Sequence, residues 1–116
     1  MNLINKEVIL KSYIKYWNRD IKLLYTNYKN KENICIIIES PDPKENEEGP
    51  IAVATTWIPG LAKDEVAIKD YSENEGVEKT LRHANIIGQI PLRTVKSGFV
   101  NVNIYKLTEN YEQKTM

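Results

Sequence analysis

Apolar positions in this chain follow two periods. Most alternate with polar ones or run together in short blocks, as strands do, and only one stretch has helical spacing. Residues 21–25 read as a strand, with Ile21, Leu23 and Tyr25 on one face. Residues 34–38 (Ile-Cys-Ile-Ile-Ile) are apolar on both faces, which places that strand centrally in a sheet. Between them lies Asn27-Tyr28-Lys29-Asn30-Lys31, a turn because asparagine tolerates left-handed backbone. The pair is predicted to form a hairpin. Residues 51–57 predict a further strand with Ile51, Val53, Thr55 and Trp57 on one face. Its other face, Ala52, Ala54 and Thr56, is small and suits close packing of a helix. Pro59-Gly60 is a type II turn signal and leads into a short strand at 66–68. Residues 86–95 are extended but interrupted by Gly88 and Pro91, and the proline argues for an edge strand or a bulge. Lys96-Ser97-Gly98 is expected to turn the chain into residues 99–107. That last strand alternates most clearly: Val100, Val102 and Ile104 face one way, and Phe99, Asn101, Asn103 and Tyr105 the other. It should pair with 92–95.

The helical stretch is 73–84. Val77, Leu81 and Ala84 fall at i, i+4 and i+7, a narrow apolar stripe. Ser72-Glu73-Asn74-Glu75 fits a capping box, and Asn85 suits a left-handed stop. Gly76 lies in the first turn of this helix, at a cost of about 1 kcal/mol relative to alanine. Such a glycine implies that something needs the missing side chain, such as the close approach of another backbone.

Residues 1–19 carry both patterns. β-Branched and aromatic residues from Val8 to Trp17 favour a strand, while Ile4, Val8 and Ile14 would also serve a helix. Residues 40–50, SPDPKENEEGP, are the clearest loop. Three prolines and a glycine oppose both strand and helix there, and Asp42, Glu45, Glu47 and Glu48 make it acidic. Residues 108–116 are polar and expected to fray. The expected architecture is α+β: a mainly antiparallel sheet of five to six strands, with one short amphipathic helix packed on it. At 116 residues the chain supports a single domain, 1–116, burying roughly 65% of its unfolded surface.

Charge changes this picture only locally. The net charge is zero, with 41% apolar and 28% charged residues. Residues 1–34 hold seven basic and three acidic side chains, residues 35–75 three and ten, and residues 76–116 six and three. A general nucleic-acid binder shows an overall basic excess, which is lacking here. The single cysteine, Cys35, excludes an intramolecular disulfide and sits in an apolar run, so it reads as a buried core thiol. No secretory leader and no apolar run of membrane-spanning length is evident, so the cytoplasm is the expected compartment and no membrane partner is expected.

Motifs of chemistry are scarce. His83 is the only histidine and, beside Arg82 near a helix C-terminus, reads as surface. The acids Asp64, Glu65, Asp70, Glu73 and Glu75 cluster in sequence, but capping explains Glu75, and a paired-carboxylate or magnesium site is disfavoured. No phosphate loop, nucleophile elbow, zinc spacing or dinucleotide fingerprint occurs. The expectation is a protein without enzyme activity, cofactor or metal.

Two binding surfaces can be nominated. Acidic and turn residues Asp42, Glu45, Glu47, Glu48, Asp70, Tyr71 and Glu73 could dock on a basic protein surface. Alternatively, Lys11, Lys15, Tyr16, Trp17, Arg19 and Lys22 interleave cations with aromatics, as a nucleic-acid surface does. A homodimer joined through an exposed edge strand is a third arrangement, so the chain is expected to be a monomer or a homodimer.

Two blocks carry a resemblance: residues 66–76, VAIKDYSENEG, and residues 93–100, RTVKSGFV, followed by a strand ending at Leu107. In these the chain resembles a family of small domains of unknown function from phages and conjugative elements of low-GC gut bacteria. The likeness spans roughly residues 21–107. The family has a shorter turn where this chain has 40–50, and it assigns no catalytic residues. The resemblance implies a mobile-element accessory protein in the bacterial cytoplasm that binds a host protein. An inhibitor of bacterial defence, such as an anti-CRISPR acting on a CRISPR–Cas effector, is the expectation it favours.

Overall fold

The computed structural model describes residues 9–29 and 31–108. The expected 108–116 tail lies outside these beyond Thr108, as do Asn30 and residues 1–8 of the N-terminal stretch. The described chain is α+β, but its strands form two sheets rather than one. Strands β1 (Ile9–Leu10), β2 (Ile21–Asn27), β3 (Ile34–Glu39) and β4 (Ala52–Val53) make a four-stranded sheet in that order. Strands β5 (Thr55–Thr56), β6 (Glu65–Ile68), β7 (Arg93–Ser97) and β8 (Val100–Lys106) make the second, in the order β5-β6-β8-β7. All pairings are antiparallel.

The expected strand over 51–57 is the piece that divides the sheets. Ala54, fully buried, donates its N–H to Ile36 O at 2.8 Å, and its carbonyl accepts from Lys69 N–H at 2.8 Å. One residue thus bonds to both sheets, and the chain changes sheet there. Thr55 completes the corner: its Oγ1 accepts from the Ile36 N–H and lies 2.6 Å from the Tyr28 hydroxyl. The phenol of Tyr28 is pushed well above its ordinary value, chiefly by burial.

The main core lies between the sheets and the helix α1 (Val77–His83), and includes Ile14, Ile21, Ile36, Ile68, Leu81 and Tyr105. The outward face of the second sheet has a small core of its own, Ala67, Val102 and Ile104 under Ile58. Strand β8 therefore buries Val102 and Ile104 on one face and Tyr105 on the other, which follows from its alternation. The hairpin β7–β8 turns at Gly98-Phe99 between the paired Ser97 and Val100, one residue later than Lys96-Ser97-Gly98 predicts. Cys35 is buried and unbridged, as expected of a core thiol.

The helix is shorter than 73–84. A 3-10 turn covers Ser72–Asn74, and α1 begins only at Val77. Gly76, at φ +104°, separates them. Ser72 does not cap α1, since its own φ is +54° and its carbonyl is taken by the Glu75 N–H. The cap is Asp70, which accepts from Glu78 N–H at 2.7 Å and from Gly76 N–H at 3.3 Å. Asn85, at φ +56°, ends the helix as expected.

The missing Gly76 side chain is accounted for. A Cβ there would lie 2.0 Å from Tyr13 O and 2.9 Å from Ile14 Cα. The segment between β1 and β2 passes directly over the start of α1.

Candidate partner-binding site

That crossing segment forms one wall of the site. Residues 11–19 are neither a continuous strand nor a helix. Ile14 is buried and anchors a tight turn closed by Trp17 N–H to Ile14 O at 3.0 Å. The Ser12 hydroxyl donates to Trp17 O and accepts from the Ile14 N–H, tying both ends. Two bonds hold the turn in place: Lys15 N–H to Glu75 O, just ahead of α1, at 2.8 Å and Tyr13 N–H to Thr80 Oγ1 within it at 2.9 Å. Lys15 Nζ adds an exposed ion pair with Glu75 at 3.4 Å. The turn therefore presents Tyr16, 69% exposed, and the half-buried Trp17 at a fixed place.

The opposite wall is the acidic loop, which is not structureless. Asp42 accepts from Lys44 N–H at 3.0 Å and, with Pro43 next to it, starts a 3-10 helix, Pro43–Asn46. Proline fixes φ near the helical value and loses no bond at this first position, so it starts the turn that prolines elsewhere would prevent. Asn46 and Ser40 close the loop by Ser40 N–H to Asn46 Oδ1 and Asn46 Nδ2 to Ser40 O, at 3.0 and 2.9 Å. Glu45 accepts from the Ser40 hydroxyl at 2.7 Å and from Arg19 Nη2 at 2.8 Å. These contacts, the hydroxyl first, hold its carboxyl below the usual range.

Between the walls is a cleft of about 270 Å³. Ile14, Ile51 and Ala52 supply apolar lining, and Tyr16, Trp17, Glu45 and Glu73 also border it. A second hollow of about 300 Å³ lies beside Trp17, Arg19, Pro41 and Asp42. Cations already sit on these aromatics: the Arg19 guanidinium is 4.0 Å from the Trp17 ring centre, and Lys15 Nζ is 5.4 Å from that of Tyr16. An apolar lining with ring faces and carboxylates around it suits a basic side chain with an aliphatic stem.

The two nominated residue sets thus meet in part. Tyr16, Trp17 and Arg19 come together with Asp42, Glu45 and Glu73 around the paired hollows. Glu47 and Glu48 are exposed on the same loop outside both. Asp70 is committed to capping α1, and Tyr71 packs half-buried against the small outer core. Lys22 leaves the basic set: it lies on the first sheet, 3.9 Å from Glu39, with its side chain 11% exposed. Lys11 instead flanks Tyr13, whose ring also takes Lys79 Nζ at 4.6 Å and the His83 ring at 4.6 Å. The part of Lys79 in this patch, and of Pro50 and Ile51 in the cleft, is not marked in the sequence. Each depends on a contact between elements far apart in the chain.

Among the described residues, no group of three or more His, Cys, Asp or Glu side chains is placed to hold a metal ion, and no helix is long and apolar enough to cross a membrane. No family model matches the chain, and comparisons with curated proteins and with solved structures return no significant match.

Proposed function

We propose that this chain is a non-enzymatic binding protein that engages a basic protein surface at the Tyr16–Glu73 cleft. One observation carries the reading: a fixed aromatic turn and a folded acidic loop border an apolar-lined cleft next to the exposed carboxylate of Glu73. A lysine or arginine of the partner would lay its stem on Ile14 and Ile51 and its charge beside Glu73. Glu47 and Glu48 would add steering at longer range, raising association rate more than affinity. The finer reading draws on the resemblance in the 66–76 and 93–100 blocks. It is a phage or mobile-element accessory protein in a bacterial host cell, inhibiting a defence protein such as a CRISPR–Cas effector.

The test is capture of partners on the tagged protein from a low-GC bacterial lysate, with and without nuclease. The partner is then titrated against Tyr16→Ala and Glu73→Lys. A stoichiometric protein that survives nuclease, and binds either variant at least ~10-fold more weakly, supports the proposal. Unchanged affinity for both variants removes the cleft from it.

A second reading has its own observation. Lys11, Lys79 and His83 surround the Tyr13 ring beside a hollow of about 230 Å³. Such a patch suits a phosphate backbone, and binding there would weaken steeply with salt. Recovery of nucleic acid alone, lost on nuclease treatment, selects this reading.

A further inference from the structure

Two contacts hold the Arg19 side chain between the walls of the site. Its guanidinium carbon lies 4.0 Å from the centre of the Trp17 ring, and Nη2 donates to Glu45 Oε2 at 2.8 Å. The other oxygen of that carboxylate, Oε1, accepts at 2.7 Å from the hydroxyl of Ser40, which is 1% exposed. Ser40 is fixed in turn by its two bonds to Asn46, and its hydroxyl also accepts from the Asp42 N–H at 3.1 Å. The carboxylate is thus aimed from inside the acidic loop, while the turn closed at Ile14 places the ring. The hollow of about 300 Å³ beside this pair shares Trp17 and Glu45 with the Tyr16–Glu73 cleft.

A ring face next to an oriented carboxylate suits a planar fork of donors. A guanidinium stacks on the ring and donates to the carboxylate at the same time. A lysine ammonium, compact and strongly hydrated, gains less from the same two groups. The side chain that rests there is itself an arginine. Neither wall depends on it: Glu45 keeps its bond from Ser40, and Trp17 keeps its turn. Arg19 follows Trp17 by two positions and its side chain is 58% exposed, so it can swing into solvent without disturbing the core.

We infer that Trp17 and Glu45 form an arginine subsite of the proposed cleft, which Arg19 occupies in the free protein as an internal competitor. An arginine of the partner enters by displacing Arg19, while a second basic side chain takes the place beside Glu73. This rests on the binding reading above and adds to it the residue type and its regulation. An exposed ion pair and an exposed cation–ring contact are each weak, so Arg19 lowers the affinity for an arriving guanidinium about three- to tenfold and does not close the site.

Titration of the full chain with acetyl-arginine-amide and with acetyl-lysine-amide tests this, followed by NMR at the indole N–H resonances of Trp17 and Trp57. Trp57 lines neither hollow and is the internal reference. Arg19→Ala should bind the arginine probe at least threefold more tightly than the parent, with shifts at Trp17 and not at Trp57, and should prefer it to the lysine probe. Lys44→Ala is the control: it removes one positive charge from the acidic loop but leaves the Arg19 contacts in place, so it should bind as the parent does. No gain in Arg19→Ala, an equal gain in Lys44→Ala, or equal affinity of Arg19→Ala for the two probes overturns the inference. Tyr16→Ala and Glu73→Lys leave the Trp17–Glu45 pair intact. A protein partner lost in those variants, with no effect of Arg19→Ala on the probe, keeps the proposed function and removes only the competitor.

Discussion

Replacing Gly76 by alanine probes the contact on which the site depends. Two separate costs follow from the structure. The backbone at φ +104° is unfavourable for any residue with a Cβ, at about 1–2 kcal/mol. The new Cβ would also fall 2.0 Å from the Tyr13 carbonyl oxygen and 2.7 Å from its carbon, which is backbone and cannot rotate aside. The crossing segment must lift. Lifting it breaks Lys15 N–H to Glu75 O and Tyr13 N–H to Thr80 Oγ1, each worth about 1 kcal/mol. It also draws Ile14, 2% exposed, out of the core, losing about 2 kcal/mol. The total is about 5 kcal/mol, against the ~5–15 kcal/mol that holds a domain together. Urea unfolding followed by circular dichroism measures it. Gly60→Ala is the control: Gly60 has φ +88° but nothing within 4 Å of its Cβ position, so only the conformational cost applies. If Gly76→Ala loses no more than Gly60→Ala, close approach is not the reason for the glycine. A second readout is the denaturant slope, which should shrink in Gly76→Ala because the segment is already exposed before unfolding.

Two further outcomes are expected. Asp70→Ala should destabilise by ~1–2 kcal/mol because it removes the acceptor for Glu78 N–H and Gly76 N–H, while Ser72→Ala should fall within ~0.5 kcal/mol; urea midpoints of the two variants check this, and the reverse ranking would restore the capping box. Tyr105 should lend the fold a stability that alkali removes. Burial, and then its hydrogen bond to Glu78, push the phenol up to about 12. The folded state thus favours the neutral phenol, so the contribution is whole below the ordinary tyrosine value of ~10 and is lost as pH climbs from there to about 12. Unfolding free energies across that window should fall less steeply in Tyr105→Phe than in the parent.

Strands were the legible part of this fold. The alternation in residues 99–107 and the doubly apolar run 34–38 reflect local period, and both become strands where expected. Pro91 argued for an edge strand or a bulge; it lies outside the strand, and β7, which begins at Arg93, is at the edge of its sheet among the described residues. What failed was local chemistry with two readings. Ser72-Glu73-Asn74-Glu75 satisfies the capping pattern, yet the left-handed Ser72 backbone removes it from the cap position, and Asp70 reaches the helix from further upstream. The 51–57 run looked continuous because its alternation is unbroken. The change of sheet at Ala54 shows only in which strands its N–H and C=O find.

The site was half legible for a related reason. The acidic stretch and the aromatic stretch each stood out by composition, and they pointed to opposite partners. Folding joins them: Arg19 bridges 26 positions of sequence to Glu45 while covering the Trp17 ring. That pairing spends the cation that a nucleic-acid surface would need at Trp17, and leaves Glu73 as the exposed cleft carboxylate outside any ion pair among the described residues. A basic excess in residues 1–34 therefore does not become a basic surface beside Tyr16. Among the described residues, Lys15, Arg19 and Lys22 are already matched with carboxylates, Lys31 lies over the Trp57 ring, and Lys11 belongs to the Tyr13 patch on the other side of the turn, where Lys79 from α1 joins it. The sign of the field changes across one tight turn. On the proposed reading, a partner of the cleft would carry its positive charge on discrete side chains, not as a uniform coat.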